Sequence, residues 1–364
     1  MSHPQFITSA DALQPHLQRW AARPWLALDT EFVRVDTYYP KLCLIQIGDG
    51  EVNACIDTLA LSDLAPLLEL LARGDILKIF HAASQDLEIL VQLTGACPAP
   101  LFDTQTAAML LGIGDQIGYA GLVEKCLGIV LDKSLTRTDW SRRPLTAPEL
   151  DYAAADVQHL ATLYPMLREE LEKAGRLGWL EEDCARDADP AHYRTEPANA
   201  WRKLKGLARM PAAAQTLAAA LADWREREAQ ARNRPRKWII EDDAIYRIAE
   251  RAPTDLAQIE ALHVLQPKTL ARHGETLLKI VEEARTQPAR IFAGDERMEP
   301  EQKALMKRLQ EKLRELAASL KLPVSTLAPR ADVEALMLEG AQARIPLLNG
   351  WRREVAGAEV LKLL

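Results

Sequence analysis

Four carboxylates and a phenol are the side chains whose types and spacing could do chemistry in this sequence. Asp29 and Glu31 stand two apart and close the apolar run Trp25-Leu26-Ala27-Leu28, which reads as a buried strand. Side chains alternate along a strand, so both carboxylates point to one face and Thr30 to the other. Such a pair at a strand end repels itself unless a cation lies between. The Asp-x-Glu spacing alone says little, because it recurs at Asp49/Glu51, Asp86/Glu88 and Asp332/Glu334. Tyr152 and Asp156 add to it as the chain's single Tyr-x-x-x-Asp, and Asp86 supplies a fourth acid. Hard oxygen ligands suit Mg²⁺ or Mn²⁺, and two such ions roughly 3.5–4 Å apart can stabilise the attacking and leaving oxygens of a phosphodiester.

The elements that must position these groups are legible around them. Thr146 with Glu149 forms a capping box, Pro148 is tolerated in the first turn, and Leu150, Ala154, Val157, Ala161 and Tyr164 recur at helical spacing. Tyr152 and Asp156 are then neighbours on the flank of that helix. Strands are expected at Leu26–Glu31, Leu42–Ile47, Asn53–Ile56 and Leu77–Phe80, with helices over Leu61–Leu71 and Gln85–Leu93. Ser84 is the expected cap just ahead of Asp86. Gly48-Asp49-Gly50 is a turn, which makes the first three strands a meander. A mixed sheet with helices on its faces follows, with the Asp29/Glu31 strand internal. Beyond about residue 195 no strand pattern survives. Helices are expected at Ala212–Arg232, Asp242–Glu250, Leu270–Ala284, Gln302–Leu320 and Asp332–Leu338, with Thr286–Pro300 as linker.

Five segments carry a close resemblance: Asp-Thr-Glu-Phe (29–32), Leu-Ile-Gln-Ile (44–47), Phe-His-Ala-Ala-Ser-Gln-Asp-Leu-Glu (80–88), Asp-Trp-Ser-Arg-Arg-Pro-Leu (139–145) and Tyr-Ala-Ala-Ala-Asp-Val (152–157). They resemble bacterial ribonuclease D, of the exonuclease superfamily with four acidic residues and a tyrosine, and the tail is similar to the helical HRDC domains. The resemblance implies an α/β ribonuclease H-like exonuclease domain over 1–195, a first HRDC domain over 205–290 and a second, divergent one over 298–364. It implies hydrolysis from RNA 3′ ends, transfer-RNA precursors included, releasing nucleoside 5′-monophosphates. Asp29 would bridge two divalent ions, Glu31 and Asp156 would complete the site that activates water, and Asp86 would hold the second ion through water. Tyr152, a poor base at its ordinary pKa near 10, would orient the attacking water. Phe32 is expected to wedge against the terminal base, His81 to contact a phosphate or sugar, and Trp140, Arg142 and Arg143 to clamp the 3′ end. The alternatives are core packing for Phe32 and His81 and a surface-loop role for the arginines.

Composition bounds the partners. With 364 residues, 48% hydrophobic and 27% charged, the chain is expected to be globular with two or three domains. No apolar run reaches membrane-spanning length, and five scattered cysteines (43, 55, 97, 126, 184) fit packed, reduced thiols in a cytoplasm. No phosphate-binding loop is present, so no nucleotide cofactor is expected. Net charge is −7, but residues 1–190 hold 15 basic against 28 acidic groups and residues 191–364 hold 30 against 24. The stretch 191–240, with 11 basic and 4 acidic residues, is the candidate phosphate contact. Two rival readings remain from sequence: a DNA-directed 3′→5′ exonuclease and a non-catalytic nucleic-acid binder.

Overall fold

The computed structural model describes residues 4–132, 134–135, 138–292 and 299–364. The chain forms two compact units, Met1–Val33 with Leu42–Tyr193 and Met298–Leu364, and Arg34–Lys41 with Arg194–Arg297.

The first unit is built on β1 (Gln5–Ile7), α1 (Ala10–Trp20), β2 (Trp25–Val33), β3 (Lys41–Gly48), β4 (Asn53–Asp57), α2 (Ala65–Leu71), β5 (Leu77–Phe80), α3 (Ser84–Thr94) and β6 (Leu101–Asp103). After them come α4 (Thr104–Leu110), α5 (Tyr119–Leu127), α6 (Ala147–Lys173) and α7 (Leu177–Asp187). The six strands run in the order β1-β4-β3-β2-β5-β6. β3 and β4 are antiparallel through Leu44 opposite Asp57, while β2 runs parallel to β5 with Trp25 opposite Leu77. The expected meander and the internal place of β2 are therefore present. β2 is central because its apolar residues Leu26, Ala27 and Leu28 are all buried. It runs two residues further than expected, so Phe32 continues the strand and faces away from Glu31.

The capping box at Thr146 is formed: the backbone N–H of Thr146 donates to Glu149 Oε2 at 2.7 Å. α6 then lays Ala153, Val157 and Leu160 into the core, and Val157 and Leu160 cluster with Ala27 of β2. The cap expected at Ser84 lies one residue earlier, at Ala83, which has no capping side chain of its own. Asp103 substitutes for it: its Oδ2 accepts from Ala83 N–H at 2.8 Å and its Oδ1 from Ala82 N–H, while Oδ1 also caps α4 through Gln105 N–H.

The second unit contains α8 (Ala212–Arg232), α9 (Arg236–Ile239), α10 (Asp242–Arg251), α11 (Leu256–Ala261) and α12 (Pro267–Thr286). Leu217, Leu221, Ile245, Ile248, Ile259, Leu277 and Val281 form its core. Glu226 is fully buried there, paired with Arg236 and accepting from the hydroxyl of Tyr38.

The last segment corrects one expectation. Residues 298–364 were read as a separate helical domain, but α13 (Pro300–Leu320), α14 (Val324–Leu327) and α15 (Arg330–Glu339) pack into the first unit. Leu309, Leu313, Leu336 and Trp351 join the same hydrophobic cluster as Leu163, Leu167 and Leu180. Trp351 stacks on Trp179 with ring centres 4.4 Å apart. Arg352 forms a two-pronged ion pair with Asp183, both buried, and donates to Thr326 O at 2.8 Å. The proposed linker centre, Gly294-Asp295-Glu296, lies outside the described residues.

Candidate active site

β2 delivers Asp29 and Glu31 to one face, and the third turn of α6 delivers Asp156 opposite them. One oxygen from each of the three lies within 4.8 Å of the others. Asp86, in the first turn of α3 and 8% exposed, stands beside this group; its Oδ1 accepts from Thr30 Oγ1 at 2.6 Å. A cleft of about 620 Å³ opens on the cluster, lined by Asp29, His81, Tyr119, Tyr152 and Asp156 among others.

The electrostatics are those of a site built for a cation. Burial, then the charges of Asp156, Asp86 and Glu31, raise Asp29 well above the carboxylate range. Burial followed by Asp156 and Asp86 pushes Glu31 up to about 8. Burial also pushes Asp86 and Asp156 up to about 7, with the Thr30 hydrogen bond opposing the rise at Asp86. Among the described residues, no arginine or lysine appears among the causes of these four shifts. Four crowded carboxyls with no basic partner among the described residues, three of them converging within bonding reach of one ion, match the donor set of a hard divalent metal. Tyr152 is pushed up to about 12 by burial and by Asp156, Glu31 and Asp29, so it keeps its proton at neutral pH.

The five residues expected to be catalytic are thus brought together. Those expected to bind substrate divide. His81 lines the cleft; its Nδ1 lies 3.0 Å from Thr104 Oγ1, and its ring meets Tyr119 edge-on at 5.4 Å. Thr104 Oγ1 donates its one proton to Phe80 O, so it is His81 Nδ1–H that donates to Thr104. Phe32 is half-buried against the first unit's core. Trp140 is buried and stacks on Tyr152 at 6.3 Å, which makes it a wall behind the phenol. Arg142 is half-exposed and pairs with Glu149 of the capping box at 2.6 Å. Arg143 is a correction: all five of its N–H groups are committed. Two go to Asp57, at 2.6 Å each, one to Cys43 O, one to Trp140 O and one to Arg142 O, each at 2.8 Å. It braces β4 against the segment entering α6, and no donor is left for a phosphate.

Three supporting residues escaped the sequence reading. Thr30 was placed only on the face away from the carboxylates, yet its hydroxyl orients Asp86. Tyr119 donates its hydroxyl to the backbone carbonyl of Asp156, and Asp103 caps the two helices that follow β5 and β6. Asp103 had a sequence signal, an aspartate closing an apolar run before Thr-Gln-Thr; Tyr119 had none, because the partner is a main-chain atom 37 residues away.

Comparison with known proteins agrees with this geometry. A family model described as a 3′-5′ exonuclease matches residues 4–172, and the HRDC domain model matches residues 214–281. A carboxylate-lined site on a mixed sheet, followed by an HRDC module, places the chain among 3′-5′ exonucleases. Ribonuclease D of Granulibacter bethesdensis is 40% identical over 369 residues, covering 99% of this chain and 92% of that protein. Ribonuclease D of Zymomonas mobilis is also 40% identical, over 100% and 94% of the two chains. The crystal structure of Escherichia coli RNase D, an exoribonuclease involved in structured RNA processing, superposes with a TM-score of 0.91 at 33% identity over 100% of this chain and 99% of that one. The chain belongs to the ribonuclease D family. Among the described residues no helix is long and apolar enough to cross a membrane.

Proposed function

We propose that this chain removes nucleotides one at a time from RNA 3′ ends, releasing nucleoside 5′-monophosphates, with two divalent ions, Mg²⁺ or Mn²⁺, held by its acidic cluster. The observation that carries the reading is the convergence of Asp29, Glu31 and Asp156 within 4.8 Å at the floor of a cleft that also holds Tyr152. Asp29, Glu31 and Asp156 would hold the ions, and Asp86, its carboxylate fixed by Thr30, would support the second position. Bound ions would supply an acidified water and offset charge on the scissile phosphate. The chain's own groups do the positioning. Tyr152 keeps its proton and aligns the attacking water by a hydrogen bond, while Trp140 behind it fixes the ring. His81 lines the cleft with Nδ1–H committed to Thr104 and its pKa lowered by burial, so its neutral ring is a candidate to accept from a sugar hydroxyl. Phe32 and Arg142 are further candidates at the 3′ end.

Structured RNAs such as transfer-RNA precursors are the proposed substrates, in keeping with the role stated for the Escherichia coli relative. A cytoplasmic setting is proposed from the five free cysteines, three of them buried. We also propose that residues 298–364 are a diverged HRDC-like module now fused to the nuclease core. The test of the activity is digestion of one RNA and its DNA counterpart, each labelled at either end, with Mg²⁺ and then with chelator. Metal-dependent release of labelled mononucleotide from the RNA 3′ end is expected. Equal or faster digestion of DNA would move the assignment to a DNA-directed enzyme, and no digestion of either would leave a binding protein.

A further inference from the structure

Gln46 is the one amide in the otherwise apolar run Leu42–Ile47 of β3, and it is fully buried. Both its Oε1 and its Nε2 are buried, and neither has a hydrogen-bond partner among the described residues. A buried polar atom without a partner gives up its hydrogen bonds to water and gains none in return. An amide strands two such atoms at once, and an apolar residue of the same length would fill the space without that cost. Gln46 therefore calls for a partner that the folded chain alone does not supply.

The neighbours of Gln46 fix its direction. It pairs with Cys55 across β3 and β4, so the two side chains share a face of the sheet. Cys55 Sγ lies 3.7 Å from the backbone carbonyl of Leu150, in the first turn of α6. Gly48, two residues beyond Gln46, faces the same way: a Cβ there would stand 3.3 Å from Val157 Cβ. Ala27 of β2 clusters with that same Val157, and Asp29 and Glu31 alternate onto the face of Ala27. Gln46 thus points into the layer beneath α6 that carries the acid pair. β2 and β3 are neighbours in the sheet, joined by residues 34–40 alone, too short a connection for a parallel crossover. Late residues of β3 therefore stand beside early residues of β2, which puts Gln46 nearer to Asp29 than to Glu31. Burial, then the charges of Asp151, Asp29, Glu31 and Asp156, raise the thiol pKa of Cys55, so this layer lies within the field of the acidic cluster.

We propose that Gln46 is a positioning residue of the metal site: its amide N–H holds the ionised carboxylate of Asp29, directly or across one water, when ions are bound. The proposal rests on the reading of the acidic cluster as a site for divalent ions. A carboxylate that binds an ion is ionised, and in that form its remaining lone pairs only accept. Such ligands are oriented by donors standing behind them. Thr30 Oγ1 does this for Asp86 at 2.6 Å. An amide can do it for Asp29 without adding charge, whereas a lysine or arginine in that place would compete with the ion. Fully buried, Gln46 does not reach the substrate, so its effect falls on ion affinity and through it on rate.

The test uses the full chain and titrates Mn²⁺ into metal-free protein by calorimetry, without RNA. Gln46→Leu and Gln46→Met keep the bulk and remove the donor, and each should bind Mn²⁺ about 10–100-fold more weakly. In chelator their Tm should equal or exceed that of wild type, because no buried amide is left without a partner. Cys55→Ala, in the same layer, should lower Tm and leave Mn²⁺ affinity unchanged. Hydrolysis of a diuridylate by the Gln46 variants should fall at Mn²⁺ that just saturates wild type and recover at excess ion, with KM for RNA unchanged. Wild-type Mn²⁺ affinity in both Gln46 variants, or an equal loss of affinity in Cys55→Ala, would overturn the proposal. Asp29→Ala, titrated alongside, keeps the two failures apart: wild-type affinity there as well would overturn the metal reading itself.

Discussion

Glu31→Gln should make the metal-free protein more stable at neutral pH, although it removes a residue of the site. In the folded chain Glu31 titrates at about 8, pushed up by burial and then by Asp156 and Asp86, against an ordinary value of 4.5. A carboxyl whose pKa is raised on folding contributes stability that is complete below the unfolded value and lost as pH rises through the folded one. The window is therefore about pH 4.5 to 8. At pH 7 the span above 4.5 corresponds to roughly 3 kcal/mol at about 1.4 kcal/mol per pH unit; coupling to its neighbours and partial exposure reduce this to about 2 kcal/mol. For a unit of this size that is roughly 4–8 °C in Tm. Calorimetry of both proteins in chelator should show the variant ahead by this amount at pH 7.5, with the gap closing toward pH 4.5. Adding Mg²⁺ or Mn²⁺ should reverse the order: saturation at a hundred times Kd adds about 2.7 kcal/mol, and wild type binds the ion better. A gap that is absent, or that does not change with pH, would refute the claim that the four acids are held together against their own repulsion.

Other perturbations separate chemistry from architecture. Tyr152→Phe should lower kcat on the order of 10²-fold with little change in KM, as single-turnover and steady-state rates would show. Arg143→Ala should leave Asp57 buried without its partner and destabilise the first unit by about 3 kcal/mol in urea unfolding, with KM for short RNA little changed; a large rise in KM at unchanged stability would return Arg143 to the substrate. Asp183→Ala should cost about 3–5 kcal/mol and expose residues after 298 to limited proteolysis, because it strands the buried Arg352.

Much of this site could be read in the sequence because its parts are local. A two-residue spacing at the end of a buried strand and a four-residue spacing on a capped helix each fix two side chains on one face. The bounds of β5, Leu77–Phe80, and of α8, Ala212–Arg232, are those expected from the sequence. What escaped depends on long-range contacts. β1 and β6 are three residues each, too short to show a period, and exist only because β4 and β5 pair with them. Arg143 looked like a substrate clamp because the sequence does not show Asp57, 86 residues earlier, taking its fork. The final helices looked independent because nothing local announces that Trp351 will stack on Trp179 and Arg352 will meet Asp183. The linker over Thr286–Pro300 is read from composition, and its centre, residues 293–298, lies outside the described residues.

The central claim is that one acidic cluster, filled by divalent ions, cleaves RNA from its 3′ end. The most direct measurement follows a 5′-labelled RNA on a sequencing gel with wild type and Asp29→Ala, at saturating Mg²⁺ and in chelator. Wild type with Mg²⁺ should give a ladder shortening by single nucleotides from the 3′ end; chelator or the substitution should abolish it while RNA binding in chelator persists. A ladder that survives in chelator, or a variant that keeps a tenth or more of wild-type activity at saturating Mg²⁺, would contradict the assignment.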